Sequence, residues 1–363
     1  MREAPTCIAG SATVSPPALK WLTHLAAACV AIEAICCPRL LWPVVLLAGL
    51  YILGLSLGSA FFLAVQSVCN AQWSRPIEFI PRRLALLLPW AAAALVPALT
   101  LGLPQLYEWS HAGRAGYPAL RGFKLSWLSP GFFWARSAVY LVVWIVSVRA
   151  LTVERRRPRL SALFIVVFAV TFVAASFDWI MSIDADWFST IFGVYHFTGA
   201  FLSALALITL LLIVGARSGG PGQVVDEDRL HDLGRLIFGF SCFWAYIWFS
   251  QYMLIWYSNL PEETGYYALR HASGWQILSF LNVLANWGVP FVALISRPAK
   301  RNPGTLLAVC SIVLVGHALD LGFMILPPFV GHSPGALLGM LIALVPAAFL
   351  GYRLLAWSRR AAA

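Results

Sequence analysis

The sequence predicts an all-α polytopic membrane protein with about ten transmembrane helices, and three observations carry that prediction. Of its 363 residues, 60% are hydrophobic and only 11% charged, with a mean hydropathy of +0.79; a soluble domain carries about 25% charged residues. The apolar residues fall in long runs, and a spanning helix needs about 20 of them in succession. Sixteen Trp and 11 Tyr suit a chain with many helix ends at membrane interfaces.

The runs lie at 21–36, 41–68, 84–107, 131–151, 160–182, 189–214, 233–258, 274–296, 304–327 and 335–357. The first is short and carries Glu33. With ten spans both termini share one side of the membrane. Of the 25 Lys and Arg, 19 then fall on that side, and Arg39, Arg114, Arg121, Lys124, Arg136 and Arg270 fall on the other. Short loops rich in Lys and Arg stay cytoplasmic, so both termini are expected in the cytoplasm. The net charge of +10 therefore encodes orientation, and no nucleic-acid partner is expected.

Seven cysteines are scattered, with no CxxC and no Cys/His cluster. Metal and iron–sulfur centres need several thiolates or imidazoles converging on one site, so these read as small residues packed in apolar helices. No cleavable signal peptide is expected, because the first apolar run ends in Cys-Cys-Pro-Arg (36–39) rather than a small-residue cleavage site. Neither a phosphate-binding glycine loop nor a hydrolase or metalloprotease motif stands in a usable context.

An internal repeat is visible. "GSAFFLAVQSV" (58–68) resembles "TGAFLSALALI" (198–208), and "LPQLYEWS" (103–110) resembles "YMLIWYSN" (252–259). The shift is four helices, an even number, so two parallel four-helix units are expected, spans two to five and six to nine. The chain then divides into a tail and flanking helix (1–40), a first four-helix bundle (41–182), a second (183–328) and a C-terminal flanking helix (329–363).

Ionisable residues inside such spans are costly and mark functional positions. "FDWIMSIDADWFSTIFGVYHFTGA" (177–200) joins spans five and six. Asp184 and Asp186 belong to its turn and are expected in solvent, whereas Asp178 sits within the helix and should face protein or a water-filled cavity. His196 in span six is placed to face His317 or Asp178. Two opposed histidines in a four-helix bundle also suit a b-type haem. In span nine, His317 and Asp320 are three residues apart and share a helix face. That pair can accept a quinol proton or pass one along; its alternative role is to fasten the helix to a neighbour by hydrogen bonds. Asp232 and Arg235 read as a helix-capping acid and a membrane-edge cation. In "YIWFSQYMLIWYSNLPEE" (246–263), Trp248, Gln251 and Tyr252 form a candidate wall for a quinone ring, while Trp256 and Tyr257 suit an interfacial belt. Glu262 and Glu263 are expected in solvent beyond it.

The segments "FDWIMSIDADWFSTIFGVYHFTGAF", "DLGRLIFGFSCFWAYIWFSQYMLIWYSNLPEET" and "GSAFFLAVQSV" resemble the polysulfide-reductase-type (NrfD-like) membrane subunits of alternative complex III, a bacterial quinol:cytochrome c oxidoreductase. The resemblance covers about Gly58 to Leu326 and is nearest to the second of the two such subunits. It implies two four-helix bundles with flanking helices, set in the cytoplasmic membrane. The implied partners are a sister NrfD-like subunit, an iron–sulfur protein and multihaem cytochrome c subunits, which hold the clusters and haem c. This chain would bind no redox centre itself and would support oxidation of menaquinol or ubiquinol as scaffold and proton path, through Asp178, His317 and Asp320. Two rival readings are a subunit that itself oxidises quinol, and a secondary transporter.

Overall fold

A computed structural model describes residues 38–111, 122–153, 157–217, 226–271 and 275–330. The expected spans at 21–36 and 335–357 lie outside these residues. Within them the chain is helical, and eight helices are long and apolar enough to cross a membrane. They correspond one for one to the expected spans two to nine, so the protein is a multi-pass helical membrane protein.

Their order is α1 (Pro38–Val68), then α2 (Phe79–Ala85) and α3 (Leu88–Thr100), which together make one span. After them come α4 (Pro130–Val153), α5 (Pro158–Trp179), α6 (Phe192–Arg217) and α7 (Glu227–Ser258). A short helix, α8 (Pro261–His271), leads to α9 (Trp275–Val283), a π turn (Leu284–Gly288) and α10 (Val289–Ala293), which form the next span. The last span is α11 (Pro303–Ile325), followed by α12 (Pro327–Val330).

Local chemistry sets the helix ends. Asn302 caps α11, its side chain accepting from the amides of Gly304 at 2.8 Å and Thr305 at 3.2 Å, and Pro303 takes the first position, where its missing N–H costs nothing. The acid that caps α7 is Asp226, which accepts from the Asp228 amide at 3.2 Å. Asp232, expected in that role, instead lies 3.7 Å from Arg235 on the helix surface. The helix therefore starts at Glu227, a turn and a half before the apolar run, because a cap and an acidic first turn extend it into polar sequence. Asn259 ends it at φ +47°, the left-handed conformation that asparagine tolerates at a C-terminus.

Two helices form the centre. α1 packs on α3, α5, α6 and α11, while α6 packs on α1, α5, α7 and α11. They approach closely at Gly58, where a Cβ would lie 2.7 Å from that of Ala204. Small residues let backbones meet where lipid provides no hydrophobic drive to press helices together. Next to this contact the rings of Phe61 and Phe201 meet edge to face at 5.0 Å. These two phenylalanines hold the same position in the repeated segments of α1 and α6.

A buried ion pair and a carboxyl without one

Asp178, near the C-terminal end of α5, is completely buried. Arg136 of α4 grips it with two hydrogen bonds, Nε to Oδ2 and Nη2 to Oδ1, each 2.9 Å. The Trp127 indole N–H donates to Oδ1 at 2.9 Å and the Tyr140 hydroxyl to Oδ2 at 3.0 Å. The guanidinium also donates to the Trp127 carbonyl at 2.9 Å and lies 4.0 Å from that residue's ring. The carboxylate is thus neutralised by a planar bidentate partner and supplied with four donors, which makes this a closed structural joint between α4 and α5.

Asp320, in α11, is equally buried but has a different set of neighbours. The Tyr195 hydroxyl donates to Oδ1 through a short hydrogen bond, the Asn282 amide donates to Oδ1 at 2.7 Å, and the Trp244 indole donates to Oδ2 at 3.1 Å. Behind Asn282, the Asn286 amide of the π turn donates to the Asn282 side-chain oxygen at 2.6 Å. π turns recur at functional positions in helices. Among the described residues no cation bonds Asp320.

The two sites share a plan. Each carboxyl receives one Trp N–H, one Tyr O–H and a third donor from the preceding span. That third donor is Arg136 in the first half and Asn282 in the second. One half holds an ion pair; the other holds a carboxyl met only by neutral donors.

Around Asp320 the structure gathers two histidines. At Gly199, in α6, a Cβ would stand 3.0 Å from both Asp320 Oδ2 and His317 Nδ1, so the two side chains close on the same bare stretch of backbone. No hydrogen bond joins them, and both ring nitrogens of His317 are buried without a partner. Its ring stacks on Tyr51 of α1 at 5.5 Å. His196 stands one turn before Gly199 on the same helix. Its Nδ1 meets the Ser176 hydroxyl at 2.9 Å, and its Nε2 is buried without a partner. Unpaired buried nitrogens of this kind are costly, and they mark groups able to give or take a proton. Of the four residues expected on a proton path, the structure thus brings His317 and Asp320 together at Gly199, with His196 one turn away on α6 and bonded to Ser176. Asp178 bonds to a set that shares no member with theirs.

Gly199→Ala is expected to push His317 and Asp320 off this contact and cost about 1–3 kcal/mol by overpacking. Thermal unfolding of the purified chain measures it; an unchanged transition would mean that the contact is loose.

The expected aromatic wall is a ladder on α7. Trp244, Trp248 and Tyr252 stack in sequence at 6.2 and 6.1 Å, and Tyr252 meets Tyr267 of α8 edge to face. Gln251 is buried, and its side-chain oxygen has no hydrogen-bond partner among the described residues. The ladder therefore runs from an Asp320 donor to α8.

α8 stands where the sequence predicts an outer loop, and Arg270, one of the six basic residues counted on that side, belongs to it. Arg270 is buried and donates to the carbonyls of Phe323 (2.9 Å), Met324 (2.8 Å) and Tyr266 (3.0 Å), tying the C-terminal end of α11. Its guanidinium lies 3.3 Å over the Tyr266 ring, which stacks on Trp187 at 3.8 Å. Burial pushes the guanidinium below its ordinary value, and Tyr266, Tyr267 and Asp184 act against that shift. Asp184 and Arg270 line one small pocket at this end of the protein; Asp184 is half-buried and Asp186 exposed.

Sequence reasoning missed Arg136, Trp127, Tyr140, Trp244, Asn282, Asn286 and Arg270 as site residues. For α8 a signal was present: "PEETGYYALRH" opens with Pro and two acids and closes with Arg and His, the pattern of a capped helix. For Arg136 the signal was its place inside the apolar run 131–151, where an ionisable side chain calls for a buried partner. No protein-family model matches this chain, and no curated protein matches it either.

Proposed function

We propose that the chain is a non-redox membrane subunit of a bacterial quinol:cytochrome c oxidoreductase of the alternative complex III type, passing protons through the Asp320 site. The observation that carries this reading is Asp320: a carboxyl at the centre of a membrane bundle, held by three neutral donors, beside two histidines with unpaired nitrogens. Asp178 fixes its charge on Arg136, whereas Asp320 has no such partner and can change charge state during turnover. From Tyr195, ring contacts run through Phe192 and Trp187 to Tyr266, which lies against Arg270 at the α8 end. In this reading that end faces outward and the termini are cytoplasmic.

The reading takes the chain as ten spans, with two four-helix bundles set side by side and flanking helices at either end. The central α1–α6 contact, the Phe61–Phe201 pair and the matched carboxyl sites support that division. The partners are a sister NrfD-like subunit, an iron–sulfur protein and multihaem cytochrome c subunits, and no redox centre is assigned to this chain. The Trp244–Trp248–Tyr252 ladder favours one rival, a subunit that grips and oxidises quinol itself. The first test is an iron and haem assay on material pulled down through this chain from solubilised membranes. Haem and iron in near-stoichiometric amounts are expected; a chain that purifies alone and metal-free points to a transporter instead.

A further inference from the structure

At the end of the bundle where α1 and α4 stop and α5 starts, a narrow pocket lies beside α2. Its charges come from Glu78 and Arg82, at the start of α2 and within it, and from Arg157, at the start of α5. Ser67, next to last in α1, and Ser161, in the first turn of α5, add two buried hydroxyl-bearing side chains. Leu63, Leu151 and Leu160 make the apolar part. Arg82 Nη1 donates to the Thr152 carbonyl, which anchors the side chain to α4 with one of its five N–H groups. Ser67 is 5% exposed, and its hydroxyl has no hydrogen-bond partner among the described residues. A buried polar group left in that state calls for an explanation, and a ligand oxygen supplies one.

The free space holds roughly one or two oxygen atoms, so the pocket takes the edge of a phosphate group and excludes a ring. Two arginines against one glutamate leave a single positive charge in excess. That matches the one negative charge of a phosphodiester, whereas a phosphomonoester carries about −1.5 to −2 at pH 7. The pocket lies at the helix ends, the level of the lipid headgroups. Beside it Val153 and Leu163 are 80% and 60% exposed, an aliphatic surface against which acyl chains can lie. Arg149 and Arg159, exposed at the same end, favour a headgroup whose net charge is negative. We propose that this pocket binds the phosphodiester of an anionic phospholipid, with Arg82 and Arg157 on its oxygens and the Ser67 hydroxyl donating to one of them. Arginine suits that role because its planar fork matches phosphate geometry. The site stands independently of the proposed function.

The test uses the full chain purified in detergent, titrated with phosphatidylglycerol and read by native mass spectrometry. One phosphatidylglycerol per chain is expected to stay bound at a collision energy that strips the rest. Arg157→Gln should weaken its binding roughly tenfold, the scale of a hydrogen bond to a charged group. That side chain is exposed at a helix start, so the variant keeps the fold. Ser67→Ala should weaken binding several-fold, while Arg159→Gln, at the same end but outside the pocket, should leave it unchanged. Displacement by millimolar inorganic phosphate would give the pocket to free phosphate, and equal binding of phosphatidylcholine would remove the anionic headgroup; either result overturns the proposal. So would an equal loss in Arg157→Gln and Arg159→Gln, the mark of a diffuse basic surface, or binding unchanged in both Arg157→Gln and Ser67→Ala.

Discussion

Under the proposed function, Asp320→Asn should leave the chain folded, the proposed metal-bearing partners bound and quinol-driven electron flow running, while proton uptake coupled to that flow falls on the order of 10²-fold or more. That loss is the scale at which a positioned proton-transfer group contributes. The amide keeps the volume of the carboxyl and can still accept from Tyr195, Trp244 or Asn282 through its oxygen, but it cannot take up a proton. One of the present donors will face the amide N–H₂ instead, at a cost of about 1–3 kcal/mol, which a bundle of this size tolerates. Reconstituted vesicles with a pH-sensitive dye inside, assayed alongside cytochrome c reduction, separate the two signals. If quinol turnover itself disappears, the carboxyl acts at the quinol and the rival reading prevails. If both signals survive, Asp320 is only a fastening between α6, α7, α9 and α11.

Arg136→Leu should act in the opposite manner, on stability rather than coupling. It strands the completely buried Asp178 carboxylate without its cation, and breaking one side of a buried pair costs about 3–5 kcal/mol. Removing both charges at once, with Arg136→Met and Asp178→Leu, should restore much of that loss, since a buried pair contributes little over packed apolar side chains. Thermal unfolding of the purified protein measures both. Whatever fraction of the Asp178→Asn protein folds should couple protons normally. A well-folded Asp178 variant that loses coupling would move Asp178 back into the proton route, where the sequence placed it.

Most of the span positions were legible because membrane insertion is a local sum. Twenty apolar residues satisfy the hydrocarbon wherever they end up, so the runs from 41–68 through 304–327 appear as helices with ends shifted by a few residues. The shifts have local causes: the Asp226 cap begins α7 early, and the break at Leu86–Leu87 before Pro89 splits the following span into α2 and α3. The helical period also placed His317 and Asp320 on one face, as spacing alone can. It did not say that Asp320 would collect three donors from other helices while the His317 ring nitrogens, 3.0 Å from the same point at Gly199, stay unpaired.

The sequence by itself determined that this is a many-span membrane protein and which rare polar residues lie within its apolar runs, because hydropathy and periodicity are properties of contiguous chain. Which of two carboxyls received a counter-charge was decided only by tertiary structure. Arg136 is 42 residues from Asp178, and Tyr195 is 125 from Asp320. An arginine counted only toward orientation becomes half of a buried ion pair only when α4 lies against α5. Electrostatic character in a low-dielectric bundle is set by what stands within a few ångströms, and helix packing alone chooses those neighbours.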